Sequence, residues 1–159
     1  MSKTTSDEGQ MDDKDSIKPV RSNTMYLPIH NRAASAYTRV GVETSVSVAD
    51  PHELINLLFN GLLETLSLAH AAVERNDIPA KGKSIAKATR IIGEGLKSSL
   101  SPEGGELTQN LTALYDYCIA RLMHANLKND LAAIDEVRDL IEPVAEGWKA
   151  IRNQSKEVQ

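Results

Sequence analysis

The chain has 159 residues, 41% hydrophobic and 25% charged, with a formal charge of -4 and a pI near 5.6. That length and apolar content fit one domain with a genuine core, and the acidic balance leaves no basic footprint for nucleic acid and would repel an anionic membrane surface. The single Cys118 has no internal disulfide partner, and Asn56 and Asn60 interrupt the most apolar run before it reaches the roughly 18 residues of a membrane span; no nucleic-acid partner and no membrane insertion are expected, and the chain reads as soluble and cytoplasmic.

Residues 1–24 hold nine charged side chains against four apolar ones, Met1, Met11, Ile17 and Val20. They lack the apolar region of a secretory leader, and too few groups are available to bury, so a disordered N-terminal extension is expected. Residues 25–49 are more apolar but irregular, ending in the alternation Val42, Thr44, Val46, Val48. A lone strand in a helical chain would leave its backbone groups unpaired, so this segment is expected to form an extended arm or short cap helix anchored by Tyr37 and Val40.

The first long helix announces its start. Asp50 suits the N-cap, Pro51 the first helical position, and Glu53 falls at N3, where it can complete a capping box. On a helical wheel Leu54, Ile55, Leu58, Phe59, Leu62, Leu63, Leu66, Ala69 and Val73 share one wide side, and Leu57 and Leu68 lie beyond its edge. That arc is about twice the 100° an ordinary surface helix needs, so this helix must touch partners on more than one side.

A second helix is expected over residues 79–100, capped by Asp77, with Ile85, Ala88, Ile92, Leu96 and Ser99 on one face. Gly93 and Gly95 interrupt it, marking either close approach of a neighbour or a weak spot that yields to a ligand. The SPEGG turn, residues 101–105, reverses the chain. A third helix over residues 106–126 aligns Leu107, Leu111, Leu114, Tyr115, Cys118, Leu122 and Ala125, with Ile119 and the adaptable Met123 off the side of that stripe. A short link leads to a fourth helix, where Leu131, Ile134, Val137, Ile141, Val144, Trp148 and Ile151 run helically and Pro143 should produce a kink. Trp148 should anchor this helix in the core. Four segments of similar length joined by short links give an all-α fold: an antiparallel four-helix bundle over residues 50–154, preceded by the arm and followed by a tail at 155–159.

Few residues of the chain point to chemistry. His52-Glu53 is not part of HExxH, and no Glu-x-x-His pair is present for a two-metal centre, so no metal is expected. Cys118 lies on the core stripe, where a thiol is inert. Gly104-Gly105 has neither Walker nor GxGxxG spacing. His30, His70 and His124 form no partner pattern. No catalytic group can be named, so an enzyme is not expected and no cofactor is called for. Surplus apolar surface instead suggests binding, and the candidates for client contact or for a lid are Tyr37, Val40, Leu54, Leu57, Phe59, Leu68, Ile119 and Met123.

Three stretches, AYTRVGVETSVSVADPHELINLLFNG, GGELTQNLTALYDYCIARLMHAN and DEVRDLIEPVAEGWKAI, together resemble the FliS family of flagellin-specific export chaperones. The resemblance spans residues 26–151 and is most specific at the Asp-Pro-x-Glu-Leu-Ile start of the first helix with Phe59 and Gly61, at the Gly-Gly-Glu turn with Asn110, Leu111 and the run 114–117, and at Trp148. It implies a cytoplasmic chaperone that holds the disordered C-terminal segment of flagellin, prevents premature polymerisation and helps deliver the subunit to the flagellar export apparatus. The competing expectation is a self-associating bundle, a homodimer in which Leu57, Leu68, Ile119 and Met123 meet a second copy.

Overall fold

The computed structural model describes residues 50–157, with side chains through Gln154. Tyr37, Val40, the arm, the N-terminal extension and the last tail residues lie outside this description.

Helix α1, Pro51–Glu74, begins as its sequence dictates: the Asp50 carboxylate accepts the backbone N–H groups of His52 at 3.0 Å and Glu53 at 3.4 Å. Glu53 turns its carboxylate to Arg152 rather than back to the cap, so the N3 position serves contact between helices. At the other end Asn76 adopts φ +55°, a conformation asparagine tolerates, and Asp77 then caps α2, Ile78–Arg90, through the Ala80 N–H at 3.1 Å. The chain continues through a π-helical turn, Ile91–Leu96, and a 3-10 turn, Lys97–Ser99. A short 3-10 turn, Pro102–Gly104, and Gly105 at φ +58° lead into α3, Gly105–Lys128. Asn129 at φ +52° ends α3, and α4, Leu131–Glu157, follows at once, with Asp130 accepting the Ala133 N–H.

Each helix packs beside two others: α1 against α2 and α4, and α3 against α2 and α4. Short links make consecutive helices antiparallel, giving the expected four-helix bundle. The arrangement accounts for the wide apolar arc of α1, because Leu54, Leu58, Leu62 and Leu66 are enclosed between two flanking helices. By length and mean hydropathy, 1.2 over its most apolar window, α1 is also long and apolar enough to cross a membrane. The two asparagines do not lower the average enough to prevent this; in the bundle 44% of that window is buried, against α2 and α4.

The core matches the stripes on α2 and α3 at Ile85, Ala88, Ile92, Leu96, Tyr115, Cys118, Leu122 and Ala125, all buried. Leu107 departs from expectation: it is 65% exposed, because the first turn of α3 stands at the end of the bundle beyond its neighbours. Ile151 is also exposed; Arg152 is already level with Asp50, so the last turns of α4 outrun α1. Ser99, Leu111, Val144 and Trp148 are half-buried. Helix α4 continues through Pro143, where proline and Asp139 both lie on the exposed side, so the carbonyl deprived of its partner can be hydrated. The sequence pattern did not disclose Lys81, which is buried with its ammonium donating to the Asn126 carbonyl at 2.9 Å and to Asn129 Oδ1 at 2.6 Å. It ties α2 to the C-terminal end of α3, where the helix dipole favours a cation.

Candidate functional site

Where the 101–105 turn meets the beginning of α1 and the middle of α4, the helices leave an open cavity of about 250 Å³. Ile55 and Phe59 come from α1, Leu96 and Leu100 from the end of the second helical segment, Leu107, Leu111 and Tyr115 from α3, and Val144 and Trp148 from α4. Ser99, Ser101, Gly104 and Thr108 complete the lining, and among the described residues no carboxylate, amine, imidazole or thiol belongs to it. The Tyr115 phenol is the acid in the wall, and burial pushes its pKa well above the ordinary tyrosine range, so it stays neutral. Such a surface suits the burial of apolar groups.

Trp148 is held in the cavity wall by a reciprocal contact. Its indole N–H donates to the His52 carbonyl at 3.0 Å, and His52 Nε2 lies 2.8 Å from the Trp148 carbonyl. A carbonyl only accepts, so Nε2 of His52 is the donor in this contact. The two rings stack with centroids 4.4 Å apart and planes 7° from parallel. One turn on, Arg152 bridges Asp50, at 3.0 Å, and Glu53. These contacts clasp the start of α1 to the end of α4. His52 Nδ1 and Asn56 Oδ1 are buried beside this seam with no hydrogen-bond partner among the described residues.

A shallower groove lies between α2 and α3, lined by Gly82, Ile85, Ala86, Thr89, Met123, His124, Asn126 and Leu127. Met123 and Leu127 are 63% and 77% exposed. Behind it, α3 and α4 share a polar network in which Tyr117 donates to Glu136, and Arg121 reaches Glu136 at 2.7 Å and Asp130 at 3.8 Å. The Tyr117 hydrogen bond, and after it Arg121, hold the Glu136 carboxyl below its usual range. His70 pairs with Asp135 at 2.8 Å and Glu74 at 3.3 Å, and His124 with Asp130 at 3.3 Å. Among the described residues no cluster of three His, Cys, Asp or Glu could hold a metal ion.

The candidates named from sequence are dispersed over this framework. Phe59 is buried but borders the cavity. Leu54 is enclosed in the core, away from the cavity lining. Leu57 is half-buried and Leu68 is 54% exposed on the far flank of α1. Ile119 packs against the core and Met123 borders the groove. Not named from the sequence as binding residues were Ile55, Leu96, Leu100, Leu107, Leu111, Tyr115, Val144 and Trp148, all of which line the cavity. The signal available was the pair of leucines flanking the 101–105 turn, Leu100 and Leu107, which a turn would place near one another at the bundle end.

A family profile described as "Flagellar protein FliS" matches residues 33–155. The chain belongs to the FliS family. Its relatives include the flagellar secretion chaperone FliS of Salmonella typhimurium, 49% identical over 117 residues that make up 73% of this chain and 87% of that protein. The flagellar secretion chaperone FliSB of Pseudomonas aeruginosa is 50% identical over 121 residues, 76% of this chain and 95% of its own. FliS of Campylobacter jejuni is 28% identical over 130 residues, 82% and 98% of the two chains. The family match therefore contains the whole bundle up to residue 155 and part of the segment before it.

Proposed function

We propose that this FliS-family protein is a cytoplasmic chaperone that holds the disordered C-terminal segment of flagellin, keeps it from polymerising early and hands it to the flagellar type III export apparatus. The observation that carries the reading is the uncharged, apolar, open cavity at one end of the bundle, which suits apolar side chains from an otherwise floppy client. Burial there returns roughly 25 cal/mol per Å², set against the cost of ordering that client. The names of the relatives support a secretion role. With no nucleotide-binding motif in the sequence, release falls to the receiving machinery. Residues 26–48 precede Asp50, which stands at the cavity end of α1, and we assign them the part of a lid that Tyr37 and Val40 hold down.

Titrating the full-length protein with a synthetic flagellin C-terminal peptide, while measuring mass in solution by light scattering, tests this. A 1:1 complex of one 17.4 kDa chain with the peptide is expected. A doubled protein mass with no peptide bound would favour self-association through the exposed Leu68 and Met123 instead. The Tyr37→Ala variant should bind peptide faster and at least as tightly if Tyr37 holds a lid, since a closed fraction lowers apparent affinity. Weaker binding with faster dissociation would make Tyr37 a direct contact.

A further inference from the structure

The second helical segment does not finish as it begins. After Arg90 the backbone widens into the π turn Ile91–Leu96, then tightens into the 3-10 turn Lys97–Ser99 before Leu100 becomes extended. A π turn holds more residues than an α turn and a 3-10 turn fewer, so the surplus in the first roughly offsets the deficit in the second. Gly93 sits inside the wide turn. A Cβ added there would meet Ile119 Cδ1 at 3.5 Å, an ordinary contact, and its φ is not left-handed. Neither space nor handedness requires glycine; what it supplies is backbone freedom. The Ser98 hydroxyl donates to the carbonyls of Glu94 and, at 3.2 Å, Gly95, and the Ser99 hydroxyl donates to Gly95 at 2.6 Å. These side chains supply donors where the backbone ladder is disturbed. Leu96, at the junction of the two turns, forms part of the cavity wall together with Ser99 and Leu100.

We propose that residues 91–99 are a two-register element that gates the cavity. When the surplus residue of the π turn passes into the 3-10 turn, the segment becomes regular α-helix. Leu96 then swings by up to about 100° out of the wall, while Arg90 and Leu100 keep their places. This rests on the reading of the cavity as the client site: its volume of about 250 Å³ is below the roughly 300–1,000 Å³ usual for ligand pockets. The shifted register adds to it the space that Leu96 vacates.

NMR relaxation dispersion on the full chain, without peptide, tests the element directly in the wild type, in Gly93→Ala and in a variant lacking Glu94. Exchange on the microsecond to millisecond scale is expected at residues 91–100 of the wild type. It should be slowed about tenfold in Gly93→Ala, where the backbone is stiffened, and be absent from the deletion, which has no surplus residue to move. Flat profiles in the wild type, or equal exchange in all three proteins, would overturn the proposal. Should Gly93→Ala fail to fold, the deletion decides, since it adds no side chain. The gate itself is read from the flagellin C-terminal peptide, which should associate about tenfold more slowly with Gly93→Ala; equal rates would overturn gating. A peptide that does not bind the wild type refutes the client reading, and the exchange measurement still decides the two-register element.

Discussion

Leu62 shows what a single side chain contributes. It is fully enclosed between α2 and α4, so Leu62→Ala should lower the unfolding free energy by about 2–5 kcal/mol, the range for emptying a well-packed leucine site. A denaturant titration checks this, and a change below about 1 kcal/mol would mean the core collapses into the space. Cys118 makes a prediction of a different kind. Burial, and after it the Glu136 charge, push its thiol from 9.0 up to about 11. A raised folded-state pKa means that the folded protein keeps its proton longer than the unfolded chain does. The associated stability is complete below pH 9 and is lost as pH rises from 9 through 11. Tyr115, also raised by burial, adds loss of the same sign at higher pH. The melting temperature should therefore fall across that window, less steeply in Cys118→Ala than in the wild type, and alkylation of Cys118 should wait for unfolding.

At the scale of the helix, Pro143 is the residue that opposes its element. It denies Asp139 a backbone partner on the exposed side of α4. Pro143→Ala should recover much of the roughly 3 kcal/mol that an interior proline costs, less about 1 kcal/mol for the freer unfolded chain, a net gain of about 2 kcal/mol. A rise in melting temperature checks it; no rise would mean the helix has already relaxed around the ring. The helices themselves were legible because their signals are local. Asp50-Pro51 and Asp77 are caps, and the stripes on α2 and α3 repeat every three or four residues. The use to which α1 puts its apolar arc was not legible. A wheel shows that Leu54 and Leu58 are apolar, but only the neighbours decide whether they face a client or two other helices. The π turn was half legible: Gly93 and Gly95 flagged irregularity, yet its form depends on hydrogen bonds from Ser98 and Ser99 that no periodicity encodes.

On the scale of the whole molecule, the bundle has two unlike ends. At one, residues 75–77 and 129–130 make tight turns through left-handed Asn76 and Asn129, and Lys81 ties α2 to the second of them. At the other lie the cavity, the 101–105 turn and both ends of the bundle segment. Apart from Leu100 and Leu107 on either side of the 101–105 turn, the cavity was hidden in the sequence because its wall is assembled from widely separated stretches of chain, Ile55 to Trp148, that no spacing rule relates. The Arg152 contact with Asp50, at 3.0 Å, has a consequence for chain order. Because the first and last turns of the bundle touch, a few glycines and serines joining residue 154 to residue 50 would close the path without stretching it. New ends could then be cut in the exposed turn at Gly104 and Gly105, the kind of site where permutation succeeds. Such a permutant should keep a cooperative helical melt, since each helix would retain the same two neighbours; a molten product would mean that the original order of connections is itself part of what holds the bundle together.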